Sequence, residues 1–189
     1  SKIIIGILTV TAIAMLVLGY THQIDFSSLG AALPVILMSI ALAVILFAFS
    51  YRKSALTAWI YLLTAHLFII AAVLFNADHI YFLEIVFYVS GVLVAFLVGY
   101  FCLQKIKRID NDISLNQFHG YVYEQETTGL WFLFAAIGML GFPVTAAFIG
   151  IDVLFTYVHS NQPVLIIGMA LCLILLELSA FRIFLRIFM

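Results

Sequence analysis

Charge is the scarcest property of this chain. Asp, Glu, Lys and Arg together supply 9% of its 189 residues, where a soluble domain carries about 25%. So few ionised groups cannot cover a water-facing surface, which excludes an ordinary soluble domain. The basic residues form no long patch or stripe and the net charge is −1, so the footprint of a nucleic-acid-binding protein is missing. Cysteine is nearly absent too. Cys102 and Cys172 each sit in an apolar run, where a thiol acts as a small hydrophobe, and the pair makes neither a disulfide framework nor a metal site. No nucleophile–base grouping or phosphate loop occurs, so the chain does not read as an enzyme by itself and no cofactor is expected. Proline is rare. Pro34 and Pro163 stand where helices begin, positions that tolerate the ring, whereas Pro143 interrupts an apolar stretch.

What the chain has in abundance is apolar length. Its residues are 66% hydrophobic and its mean hydropathy is +1.25. A helix needs about 20 apolar residues to cross a bilayer. Residues 3–20, 29–51, 54–75 and 80–103 each qualify, followed by shorter runs at 129–140 and 144–158 and a last one at 163–189. The expected fold is therefore an all-α, polytopic integral membrane helix bundle of six to seven transmembrane segments, with one broken helix near Gly141-Phe142-Pro143. It forms a single transmembrane domain over 1–189: four helices in 1–104, a polar surface segment over 105–127, and further helices over 128–189. Lys2 and the apolar run after it resemble a signal peptide. No small-residue cleavage site follows before Thr21-His22-Gln23, so the run reads as a retained helix. Tyr20, Tyr51, Tyr81 and Tyr100 fall near span ends and suit an interfacial belt.

Lys and Arg favour cytoplasmic loops. Lys2, Arg52-Lys53 and the cluster Lys105–Arg108 fall on one side if the first four helices alternate. Arg182 and Arg186 join them only when 129–158 makes one net crossing, which gives six passes. Segment lengths favour seven passes, so both counts stay open on the residues alone.

Charged groups inside a span cost roughly 2.5–3.5 kcal/mol on insertion scales and mark functional sites by default. Glu177 lies midway along the last run and Asp152 within the short run after the break. Each reads either as an ion-binding carboxylate or as a structural hydrogen-bonding group. Asp152 and His159 share a helical face about 10 Å apart along the axis, so water would have to bridge a relay between them. His66 sits mid-span beside Thr64, as a proton carrier or as a structural histidine satisfied by a nearby hydroxyl or carbonyl. Glu84 stands near a helix start, either complementing the dipole or facing the bundle interior. A broken backbone in lipid must line protein or water, which makes Gly141, Pro143 and Gly150 the candidate break.

Gly141-Phe142-Pro143 followed by Ala147-Phe148-Ile149-Gly150-Ile151-Asp152 resembles the signature of antiporter-like proton-translocating membrane subunits. These occur in respiratory complex I, membrane-bound hydrogenases, multisubunit sodium/proton antiporters and a related inorganic-carbon uptake system. Phe118-His119-Gly120 and Ala180-Phe181-Arg182 resemble the family's flanks, and the match is best over residues 116–189. Glu84 resembles the family's membrane glutamate, and His66-Leu67-Phe68-Ile69-Ile70 echoes its central histidine. The chain departs from the pattern in having Ile151 where the family carries a lysine or glutamate, with Asp152 one residue on, and in having no lysine within any span. It is also half the usual length, which implies a piece or a reduced form of a longer subunit.

The resemblance implies a subunit of a hetero-oligomeric, proton- or sodium-translocating complex in the bacterial inner membrane, with an ion path over Asp152, Glu177, Glu84 and His66. It also implies a hairpin over 129–158, which makes seven passes the preferred expectation. Its partners would be the lipid bilayer, other membrane subunits and the ions themselves. A non-conducting scaffold that docks a partner through 105–127, and a small-solute transporter with a midplane site at the break, are the alternatives.

Overall fold

The computed structural model describes residues 2–21, 32–76, 82–141, 145–158 and 162–189. Among them the chain forms seven helices and no strand: α1 (Lys2–Thr21), α2 (Ala32–Ser50), α3 (Ala55–Asn76), α4 (Phe82–Ile109), α5 (Glu126–Met139), α6 (Ala146–Thr156) and α7 (Pro163–Phe188). Five of these, all but α5 and α6, are long and apolar enough to cross a membrane. Phe142, Pro143 and His159 lie outside the described residues.

The bundle is built around α3. A helix that is apolar all round is either a core helix or a membrane span, and α3 is the one enclosed by its neighbours, buried from Tyr61 through Leu74 without interruption. It packs against α1, α2, α4 and α7. Small residues let backbones approach where no hydrophobic force drives helices together. Gly99 of α4 shows how closely. A Cβ there would lie 2.4 Å from the ring of Trp59 on α3, and that ring is held by its Nε1–H donating to the Phe96 carbonyl at 3.0 Å. Gly19 similarly seats α1 on Leu74 and Phe75, and Gly168 seats α7 on Met38 of α2.

Helix ends leave orphan N–H and C=O groups, and one irregular segment satisfies several of them. The Ile113 carbonyl accepts from Ala55 N–H at 2.9 Å, at the start of α3. The N–H groups of His119 and Val122 donate to Arg186 and Phe188 at the end of α7, at 3.0 and 2.8 Å. Ile113, Leu115 and Tyr121 anchor this strap by burying their side chains. The expected surface segment is thus two things. Lys105–Arg108 continue α4 as helix, and the residues after Asp110 form the strap.

The same contacts fix the direction of α5 and α6. The start of α5 lies at the end of the bundle where α4 and α7 finish: Lys105 Nζ donates to Thr128 Oγ1 at 2.9 Å, and Gly129 packs on Phe188. The end of α6 lies where α3 finishes and α4 begins: Asn76 Nδ2 donates to the Tyr157 carbonyl at 2.9 Å, and the Tyr157 hydroxyl donates to Glu84. Because α4 is one unbroken helix about 42 Å long, these two ends are opposite. The two short helices therefore run in succession from one end of the bundle to the other, and the described residues do not form the hairpin expected over 129–158. A hairpin would have returned Tyr157 to the end where it started.

Candidate functional site

His66 stands near the middle of α3, and its side chain is 1% exposed. Its Nδ1 lies 2.7 Å from the Tyr88 hydroxyl of α4, with the two rings tilted at 57°. The other ring nitrogen, Nε2, is buried and makes no hydrogen bond of good geometry among the described residues, although the Met139 main chain of α5 approaches the ring as an acceptor. Thr64, two residues earlier, does not serve it. That hydroxyl faces α1, where it meets Thr9 Oγ1 at 2.9 Å and donates to Ile60 at 3.0 Å. A buried nitrogen without a good hydrogen bond normally costs about 1–3 kcal/mol, so its persistence in the core requires an explanation.

Glu84 lies in the first turn of α4, half-buried. Its carboxylate accepts the hydroxyl of Tyr157, the residue just after α6. Tyr88 is four residues on, hence on the same face of α4 and about 6 Å deeper. Beside Tyr157, Asn76 and Gln162 exchange two amide hydrogen bonds at 3.0 and 2.8 Å. The end of the bundle away from the basic residues thus carries a polar cluster, and Tyr88 and His66 extend it into the core.

Asp152 and Glu177 are placed otherwise. Both are exposed, Asp152 on α6 and Glu177 near the middle of α7. Among the described residues neither is joined to His66 or Glu84 or has a hydrogen-bond or ion-pair partner of its own. Of the three residues of the expected break, Gly141 and Gly150 are described. Gly141 has φ +64° and closes on Ile151, whose Cδ1 would be 2.3 Å from an added Cβ; both features demand glycine. Gly150 lies within α6. Gly138, just before the break, packs on Ala95 with a Cβ distance of 3.0 Å. A groove of about 340 Å³ runs there between α4 and α5, lined by Ser90, Gly91, Trp131, Gly138 and Thr145 among others.

The basic residues gather at the other end. Arg182 stacks over Phe49 at 5.1 Å and Arg186 over Phe118 at 4.2 Å, and among the described residues neither pairs with an intramembrane acid. On the strap, the Tyr121 hydroxyl donates to Asp110. That bond, with the Asp112 main-chain N–H, holds the Asp110 carboxyl below its ordinary range. Burial first, and then Asp110, push the Tyr121 phenol up to about 12.

Tyr88, Tyr157, Asn76 and Gln162 escaped the reading of the sequence. Only the four-residue spacing of Glu84 and Tyr88 could have pointed to one of them. Among the described residues no group of His, Cys, Asp and Glu is placed to hold a metal ion. No family model matches the chain, and neither the curated proteins nor the solved structures provide a match.

Proposed function

We infer that the chain is an integral membrane subunit that conducts or gates protons, or sodium ions, within a larger assembly of a bacterial inner membrane. This is the role of the antiporter-like subunits that residues 116–189 resemble. The five long apolar helices and the α5–α6 pass make six crossings. Arg52, Lys53, Lys105, Lys107, Arg108, Arg182 and Arg186 then share one side, which the positive-inside rule makes cytoplasmic. A proton entering from the other side meets Glu84 and Tyr157, then Tyr88, then His66.

One observation carries this reading: the imidazole of His66, buried midway along the central helix, is bonded at Nδ1 to Tyr88 and makes no hydrogen bond of good geometry at Nε2 among the described residues. An imidazole with one nitrogen tied to a tyrosine and the other without a well-formed bond can accept a proton on one side and release it on the other. The C-terminal end of α5 leaves main-chain carbonyls without an intrahelical donor, which suits water. Glu84 and His66 carry the path in this scheme, and Asp152 and Glu177 stand outside it.

The test is proton flux into vesicles reconstituted with the protein and everything that copurifies from its native membranes, driven by an imposed potential. His66→Phe and Glu84→Gln should each lower flux about tenfold or more, the usual scale for removing a proton-transfer group, with assembly intact. Undiminished flux in both would overturn the path. The scaffold reading is the second choice, and the exposure of Asp152 and Glu177 favours it, because outward acids on apolar helices suit subunit contacts.

A further inference from the structure

We propose that the outward face of α7 around Glu177 binds a transmembrane helix of a partner subunit, one that places a lysine or arginine opposite the Glu177 carboxylate. The inference rests on the membrane reading of the bundle and not on the proton path. Glu177 is about 21 Å from the start of α7 and about 17 Å from its end. That is the depth of the midplane of a hydrocarbon layer about 30 Å thick. It is exposed among residues that face out of the bundle: Ile174 at 53%, Leu178 at 52% and Phe181 at 40%. An ionised carboxylate facing lipid is costly, and intramembrane acids therefore turn inward or pair. Among the described residues Glu177 does neither. The nearest cation in sequence, Arg182, is half-buried and committed to the Phe49 ring of α2, and Arg186 is stacked on Phe118 of the strap.

The apolar residues flanking Glu177 are therefore suited to the rim of a helix–helix contact, and the acid chooses the partner by charge. A helix with a cation at the same depth is accepted, and one without leaves a charge unpaired in a dry interface, which is how specificity is usually obtained. A second copy of this chain does not fit, because it would bring its own Glu177 and no free cation to that depth.

The experiment compares complexes purified in mild detergent from the native membranes. Wild-type protein and Leu178→Cys are crosslinked within the membrane, and the attached peptide is identified by mass spectrometry. The expected peptide is an apolar segment from another subunit containing an internal Lys or Arg. Glu177→Lys should reduce recovery of that subunit about tenfold or more, and exchanging the partner's cation for Glu should restore it. Monodisperse Glu177→Lys protein with an unchanged unfolding midpoint shows that the loss is not misfolding. His66→Phe should retain the partner while flux falls, so the two inferences fail separately. Full recovery with Glu177→Lys, crosslinks only to a second copy of this chain, or an attached segment without a cation would each overturn the proposal.

Discussion

His66 Nδ1 and the Tyr88 hydroxyl meet at 2.7 Å between the two helices that form the centre of the bundle. Both side chains are essentially inaccessible, at 1% each. The pair is thus a buried polar contact in an apolar interface. Removing one member leaves the other without a partner, which costs about 1–3 kcal/mol, whereas replacing both with apolar groups of the same shape is nearly neutral. Tyr88→Phe should therefore lower stability by about 1–3 kcal/mol. The double variant His66→Phe/Tyr88→Phe should be more stable than the sum of the two single changes predicts. Unfolding in detergent measures the cycle, and simple additivity would show that the contact contributes nothing.

Trp59 and Gly99 make the second interior contact that can be tested. With no room for a Cβ at Gly99, Gly99→Ala forces the indole away from α4 and strains its bond to Phe96. Overpacking of this kind costs about 1–3 kcal/mol. Gly6 of α1 is the matched control, since an added Cβ meets nothing within 4 Å. Gly6→Ala should be neutral or slightly stabilising, because alanine is the better helix former. Equal unfolding midpoints for the two variants would refute the tight contact.

The strap carries the pH dependence that the structure supports. Asp110 has a depressed carboxyl, so its contribution is present above the ordinary carboxylate range, near pH 4. That contribution is lost as pH falls through the lower folded value. Tyr121 has the opposite sign. Its phenol is raised to about 12, so its contribution is present below about pH 10 and is lost as pH rises through 12. Tyr121→Phe removes the alkaline effect and the larger part of the acid one, leaving the Asp112 N–H on Asp110, while Asp110→Asn should flatten the acid end fully. A titration of the unfolding midpoint checks this, and an unchanged curve for Tyr121→Phe would count against the bond.

The spanning helices were legible because a bilayer imposes a length, and the runs at 3–20 and 54–75 closely match Lys2–Thr21 and Ala55–Asn76. α4 extends past the expected residue 103 to Ile109, because Leu103 and Ile106 keep a buried side turned inward while the charged residues between and beyond them reach outward. The direction of 129–158 was not legible. A hairpin and a broken single pass have the same apolar content; the Lys/Arg distribution alone pointed to one net crossing, and contacts with Lys105, Phe188, Asn76 and Glu84, distant in sequence, give the direction. His66 and Glu84 could be found as charge-bearing groups in apolar runs. Tyr88 and Tyr157 could not, since a tyrosine in such a run looks like belt or packing. Asp152 and Glu177 were equally visible, but no local pattern told an inward from an outward side chain.

The proposed six-pass arrangement makes a prediction about sidedness. Asn116 on the strap and Met189 after α7 are exposed, and the strap's bonds to Arg186 and Phe188 put them at the same end of the bundle. Thr21 is exposed at the end of α1, and Gly19 packing on Leu74 and Phe75 places it at the opposite end. Single cysteines at these positions, in a chain with Cys102 and Cys172 replaced by alanine, should divide two to one under a membrane-impermeant thiol reagent. Asn116→Cys and Met189→Cys should be protected in intact cells and react after permeabilisation, as the cytoplasmic placement of the basic end requires. Thr21→Cys should react from outside. Labelling of Met189→Cys from the face that labels Thr21→Cys would restore the hairpin and its seventh crossing, and the proton route from Glu84 to His66 would lose the broken pass beside it.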